Sequence, residues 1–194
     1  ELADLQARLA VKRKEFRDDW TAHDLPLQAA RDMRYKLAIA TVIGAHPYYG
    51  GQSWVRPRGW GRFLTRWSSL VYDPELGQPG SNVPLVVEAD RPLWWEGLAR
   101  ERVADAGRRQ LVVHLVNPPR SDTIDVQGRD QMPIPVDDAT VRACVPEGQV
   151  VTGVLLLDPD AEPDAVPLAW TALDGWAVVR VPRVALWSMV VFEF

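Results

Sequence analysis

The spacing of apolar residues changes about 80 residues into the chain. Before that point apolar positions recur every three or four residues, which is the period of an amphipathic helix. After it, short apolar runs alternate with turns rich in Gly, Pro, Asn and Asp, which is the pattern of β-strands. The sequence therefore predicts two domains, a helical segment over residues 1–80 and an antiparallel β-sandwich over residues 81–194. By content the fold class is α+β.

Three helices are predicted in the first segment. One covers residues 1–20, a second runs from just after Pro26 to Ile43, and a third covers residues 61–71. Leu37 and Thr41 mark the buried side of the second helix, and Gly44 is a suitable C-terminal stop. Its last apolar run is also compatible with a buried strand, because periodicity does not separate the two over so short a length.

The sandwich is predicted from short apolar runs that are separated by turns and, at one point, by a long polar excursion over residues 118–138. They cover residues 83–88, 94–103, 109–117, 140–146, 150–157, 166–172, 176–182 and 187–194. Asp174-Gly175 is the clearest two-residue hairpin signal. The run 109–117 is apolar on both faces and is predicted to be an interior strand, with His114 as a satisfied core or interface residue.

Nine tryptophans are the outlier of the composition. A tryptophan can stack on the apolar face of a sugar ring, and it can equally fill a core with one N–H group to satisfy. We expect most of the tryptophans in the strands to pack in the core. Trp54 and Trp60 lie among Gly and Pro residues and are predicted to be exposed.

Charge and apolar run length exclude two classes of partner. The formal net charge is −4, without the basic stripe that nucleic acid or an anionic membrane surface requires. No apolar run reaches the roughly 18 residues of a membrane span. The single cysteine, Cys144, shares the side of Arg142 in its strand and is predicted to be chemically quiet.

The sequence shows no complete catalytic constellation. It has no zinc-type spacing, no phosphate-binding glycine loop and no nucleophile elbow, so neither a metal nor a cofactor is predicted. Glycoside hydrolysis needs two carboxylates about 5 to 9.5 Å apart. The acids over residues 158–164 are predicted to form a solvated turn. His46 fits the mouth of a cleft, and it fits equally a loop histidine bonded to backbone.

Several stretches nevertheless resemble one architecture, the C-terminal part of a dextranase-like or related (β/α)8-barrel glycoside hydrolase. They are residues 33–41 with 48–50 for the last helix-to-strand step, 67–77 for the terminal helix, 94–95 with 111–118 for the start of the following β-sandwich, and 186–193 for its final strand. The resemblance covers most of the chain and rests on apolar patterns.

The resemblance implies that the helices close a (β/α)8 barrel and that the sandwich follows it. The catalytic carboxylates of such enzymes come from earlier barrel strands, which would precede Glu1. Five residues would follow the last barrel strand near the active-site face and contact substrate, namely His46, Tyr48, Tyr49, Gln52 and Trp54. The partners implied are the remaining barrel portion, in the same protein or in a partner chain, and a polysaccharide. The alternative is a non-catalytic carbohydrate-binding or structural sandwich module.

Overall fold

The computed structural model describes residues 34, 37–45, 58–79, 84–103, 108–118 and 133–194. Within these residues nine strands follow one another along the chain. They are β1 (Leu85–Glu88), β2 (Arg100–Val103), β3 (Arg109–Val116), β4 (Val136–Cys144), β5 (Gly153–Leu157), β6 (Ala165–Pro167), β7 (Trp170–Leu173), β8 (Trp176–Val184) and β9 (Trp187–Glu193). The predicted helix over residues 1–20 and the predicted domain boundary, between residues 80 and 81, lie outside the described part.

The strands form two sheets in which every neighbouring pair is antiparallel. The four-stranded sheet has the order β1-β4-β8-β7, and the five-stranded sheet has the order β2-β3-β9-β5-β6. Alternate residues of the longer strands point into one shared apolar core between the sheets, as Val141 of β4, Val179 of β8 and Leu115 of β3 do. The predicted antiparallel sandwich is therefore confirmed, and β3 is an interior strand.

The five-stranded sheet is also apolar on the face that points away from the sandwich core. That face carries Val112 and Val116 of β3 and Trp187, Met189 and Val191 of β9, all of them buried. An antiparallel sheet usually leaves one face to solvent with polar side chains. This sheet is apolar on both faces and requires a cover.

Helical residues supply that cover. Residues 37–42, together with residue 34, are helical and form the described part of α1. The cover continues with α2 (Arg58–Arg66) and a 3-10 turn (Ser68–Leu70). Their buried side chains join the outer residues of the five-stranded sheet in a second apolar cluster. None of the helices in the described ranges has both the length and the apolar character that crossing a bilayer demands.

The end of α1 follows the predicted capping. Gly44 has a φ of 75°, which is the left-handed conformation of a C-terminal stop, and Ala45 N–H donates to the Ala40 carbonyl over 2.8 Å. Leu37 and Thr41 are buried as predicted. The helical assignment of this run is therefore confirmed over the buried strand.

The predicted strand over residues 166–172 is wrong, because the run contains two strands in different sheets. β6 pairs with β5 in the five-stranded sheet, and β7 pairs with β8 in the four-stranded sheet. Pro167 has no N–H to continue a ladder, and Leu168 N–H donates to Val154 at 2.9 Å as the chain crosses over. The apolar pattern alone does not show where a chain changes sheets.

The predicted strand over residues 94–103 is also too long. Trp94 makes an isolated bridge to Val116, and only Arg100–Val103 forms a strand. Between them Gly97 takes a φ of 72°, and Leu98 N–H donates to the Trp95 carbonyl over 2.9 Å, which makes a turn. Gly97 thus breaks the run.

The hairpin at Asp174-Gly175 is confirmed. Its two residues have φ values of 49° and 82°, and they join β7 to β8 with Leu173 opposite Trp176. Positive φ at both central positions is the requirement of a type I′ turn. This turn fixes the register of the edge strand β7.

The outer face of the four-stranded sheet carries Arg142 and Cys144 on the same side, as predicted. The Arg142 guanidinium lies 5.2 Å from the centroid of the Trp176 ring on β8. Cys144 is a half-buried free thiol in its strand.

Candidate functional site

The five residues predicted to contact substrate lie outside the described part of the chain. They are His46, Tyr48, Tyr49, Gln52 and Trp54. Among the described residues, buried polar chemistry concentrates where the helical cover meets the five-stranded sheet. We call this region, built from α1, α2, β3, β9 and the turn over residues 158–164, the junction.

α2 enters the junction through its aromatic side. Trp60 and Phe63 are each 1% exposed, and their rings lie 5.6 and 5.7 Å from the Trp187 ring on β9, measured between centroids. Phe63 meets Trp187 edge to face, which is a favoured geometry for aromatic rings. The prediction that Trp60 is exposed is therefore wrong: the helix carries it onto the sheet.

The turn over residues 158–164, which we call the acidic turn, holds the helices by their polar groups. Asp160 accepts a hydrogen bond of 2.9 Å from the Trp60 indole N–H and pairs with the Arg34 guanidinium at 3.1 Å. Asp164 pairs with Arg66 at 3.0 Å. The predicted turn is present and residues 160–162 are exposed, but Asp160 and Asp164 are not merely solvated, because they bind side chains of α1 and α2.

Asp158 begins the acidic turn and fixes its shape. Its carboxylate accepts hydrogen bonds from the Asp160 N–H at 2.8 Å and from the Ser188 hydroxyl at 3.2 Å. Burial raises the pKa of Asp158, because removal from water disfavours the charged form, although the bond from Asp160 N–H acts in the opposite direction. Across the described part of the chain, no group of three His, Cys, Asp or Glu side chains could hold a metal ion.

A second polar pair lies in the apolar layer beneath the helices. The Trp187 indole N–H donates to Nδ1 of His114 over 3.2 Å, and His114 is 2% exposed. Burial, with a smaller contribution from the charge of Arg100, lowers the pKa of His114 to about 3. The imidazole is therefore neutral, and because Nδ1 accepts a bond, its proton lies on Nε2. The prediction that His114 is a core residue is confirmed, and its Nδ1 has a hydrogen-bond partner.

A cavity of about 210 Å³ lies between α1, β2, β3 and the segment that follows α2. We call it the junction cavity. Its polar lining residues are Thr41, Tyr72, Asp73, Arg100 and His114. The sequence shows none of this, because these residues come from four separate stretches of the chain.

One local signal for the junction is present in the sequence. Trp60, Phe63 and Trp67 are spaced by three and four residues, which places them on one side of a helix. The predicted helix begins at Gly61, one residue too late to include Trp60. The partners of Trp60, Asp160 and Trp187, lie far away in the sequence and carry no local signal.

The fold has counterparts among solved structures, although no family model and no curated protein matches the sequence. A cycloisomaltooligosaccharide glucanotransferase from Paenibacillus sp., complexed with cycloisomaltoheptaose, aligns with a TM-score of 0.55 and 20% identity over 86% of this chain. The alignment covers 27% of that enzyme, so the chain spans about a quarter of its length.

A second solved structure aligns less extensively. It is α-L-fucosidase isoenzyme 2 from Paenibacillus thiaminolyticus, with a TM-score of 0.41 and 22% identity over 59% of this chain and 16% of the fucosidase. The glucanotransferase comparison shows that the chain shares its fold with part of that enzyme at low sequence identity.

Proposed function

We propose that this chain is the C-terminal portion of a carbohydrate-active, glycoside hydrolase-like protein. Residues 1–80 would form the terminal part of a (β/α)8 barrel, and the sandwich over residues 81–194 would brace that barrel. The catalytic carboxylates would lie on earlier barrel strands, so this chain would not be catalytic alone. The fold shared with a glucanotransferase over about a quarter of that enzyme's length supports this proposal.

The junction is the observation that carries the proposal. A sandwich that functions alone does not need a sheet apolar on both faces, but a sandwich that holds helices does. Here Trp187 receives the aromatic side of α2, and Asp160 and Asp164 bind its polar groups. Such a junction would fix the position of the helices relative to the sandwich.

Substrate contact is assigned to the segment that follows α1. In a (β/α)8 enzyme the loops after the strands build the active-site face. His46, Tyr48, Tyr49, Gln52 and Trp54 would bind the glycan there, with hydrogen bonds from the polar groups and ring stacking from the aromatic groups. Their role would be binding, not bond cleavage.

Kinetics of the full-length protein test this proposal. Isomaltooligosaccharides and a panel of other glycans serve as substrates, and Trp54→Ala is compared with wild type. We expect the variant to raise KM about tenfold, equivalent to about 1.4 kcal/mol of binding, with a small change in kcat. Trp94→Ala is the matched control and should leave KM unchanged. Absence of activity on every glycan of the panel contradicts the proposal.

An exposed tryptophan on the sandwich favours the alternative, a non-catalytic carbohydrate-binding module. Trp94 is 46% exposed, and its neighbour Trp95 lines a surface groove of about 340 Å³ with Asp90 and Arg91. A ring, an acid and a guanidinium are groups that bind sugars. If this module is the function, Trp94→Ala or Trp95→Ala abolishes glycan binding of the isolated chain, whereas Trp54→Ala leaves it intact.

A further inference from the structure

The junction cavity is large enough for a small ligand and is open on one side. Its volume of about 210 Å³ is below the 300 Å³ or more of pockets for drug-sized molecules, so it suits one ring. Gly44 and Pro74 line it and are exposed, which places the opening beside them. His114 lines it from the sheet and is almost fully buried.

A hydroxyl group in this lining lacks a partner. Thr41 is 1% exposed, and its Oγ1 makes no hydrogen bond to any described residue. A buried polar group without a partner costs about 1 to 3 kcal/mol, so such groups are rare unless a ligand or water satisfies them. Thr41 Oγ1 is therefore a group in this lining that an occupant, ligand or water, would satisfy.

His114 adds a fixed donor. The bond from Trp187 occupies Nδ1, so the neutral ring keeps its proton on Nε2. That ring lines the cavity, and Nε2 is the one ring nitrogen whose proton is available to an occupant. The occupant needs at least one acceptor.

Two charged side chains of opposite sign lie in the lining. Arg100 is anchored by bonds of 2.8 Å from Nη1 to the Gly97 and Ala99 carbonyls and supplies one positive charge. Asp73 supplies one negative charge, because bonds from the Glu75 N–H and from Arg102 lower its pKa. Because Asp73 is also paired with Arg102 at 2.8 Å, charge alone does not decide between a neutral and an anionic occupant.

The rest of the lining is apolar and comes from Val42, Val71, Pro74 and Leu76. Donors, acceptors and apolar surface on the same small cavity suit a molecule with many hydroxyl groups and C–H faces. That is the chemistry of a sugar ring.

We propose that the junction cavity binds one neutral sugar residue, with Thr41, His114, Arg100 and Asp73 as its hydrogen-bonding groups. This rests on the proposed carbohydrate-active function and extends it to a site lined by residues other than the five assigned to substrate contact. The bound sugar would contact both the helical cover and the five-stranded sheet.

The imidazole signals of the ¹⁵N-histidine-labelled 194-residue chain test the proposal directly. The chain has three histidines, so His114 is assigned by a single substitution. Glucose is titrated into wild type, Thr41→Val, Thr41→Ser and Thr171→Val. Thr41→Val keeps the shape and removes the hydroxyl, Thr41→Ser restores the hydroxyl, and Thr171 is an exposed control on β7.

We expect glucose to shift the His114 signal in wild type, Thr41→Ser and Thr171→Val, and to bind about tenfold more weakly to Thr41→Val. A shift with acetate and none with glucose overturns the proposal in favour of an anion site. If neither glucose nor acetate shifts the His114 signal, the proposal is overturned and the cavity holds only water.

Calorimetry on the full-length protein provides a second measurement. There a glucose site that is lost in Thr41→Val and retained in Thr41→Ser supports the proposal, and an unchanged number of sites in Thr41→Val contradicts it. Neither result depends on catalytic activity, so failure of this proposal and failure of the proposed function are separable.

Discussion

Trp187 donates its indole N–H to Nδ1 of His114 over 3.2 Å, and the two ring planes are inclined by 17° with centroids 5.9 Å apart. The pair lies between adjacent strands on the sheet face that the helices cover. Trp187 is also the residue against which Trp60 and Phe63 pack. The Trp187 side chain thus provides the hydrogen-bond partner of His114 Nδ1 and also packs against α2.

Trp187→Phe should destabilise the fold by at least about 2 kcal/mol. The substitution removes the N–H group and leaves Nδ1 of His114 as a buried acceptor without a partner, which costs about 1 to 3 kcal/mol before lost packing is counted. Urea unfolding measures the loss. Trp176→Phe, on the outer face of the four-stranded sheet, is the control and should cost less than about 1 kcal/mol. Equal losses in both variants would contradict this role of Trp187.

Stability should rise with pH between about 3 and 6.5 because of His114. Burial lowers the pKa of His114 from 6.5 to about 3, so within this range the unfolded chain binds a proton that the folded chain excludes. The slope contributed is at most about 1.4 kcal/mol per pH unit, and the contribution is constant above 6.5. Urea unfolding of wild type and His114→Gln at about pH 4.5, 5.5 and 7.5 isolates the contribution of His114 to the pH dependence of stability. An identical slope in both proteins would refute the buried neutral imidazole.

Asp160→Ala should loosen α2 from the sheet. The change removes the acceptor of the Trp60 N–H and the partner of Arg34, and we expect a loss of about 1 to 2 kcal/mol, since the ion pair is partly exposed and weak. Glu162→Ala, in the same turn, is the matched control and should fall within about 0.5 kcal/mol of wild type. Amide exchange should show faster opening of α2 in Asp160→Ala. Unchanged exchange there would show that the acidic turn does not hold the helix.

Two glycines should respond to alanine in opposite directions. Gly175 has a φ of 82° in the hairpin turn, so Gly175→Ala should cost about 1 kcal/mol or more. Gly61 lies within α2, and the position that an alanine methyl group would take there is open space, so Gly61→Ala should stabilise by about 0.5 to 1 kcal/mol. Thermal unfolding compares the two. Stabilisation by Gly175→Ala would rule out the type I′ turn.

The strands were predictable where local chemistry decides them. β3 has apolar residues on both faces, and Asp174-Gly175 requires positive φ, so an interior strand and a hairpin follow from the residues alone. The stop of α1 at Gly44 follows in the same way. These features need no knowledge of distant parts of the chain.

The junction was not predictable because its contacts are long-range. Trp60 lies among Gly and Pro residues that favour exposure, and its burial depends on Asp160 and Trp187, which are distant in sequence. The passage of the chain between sheets at Leu168 likewise depends on a bond to Val154. A local apolar pattern gives the period of an element but not its partner.

The intact mass of the protein from its natural source tests most directly whether the helical segment and the sandwich complete a larger carbohydrate-active protein. We predict a polypeptide far heavier than the 21.8 kDa of this sequence, with peptides of the sequence among its fragments. A mature polypeptide of 21.8 kDa would contradict the proposal.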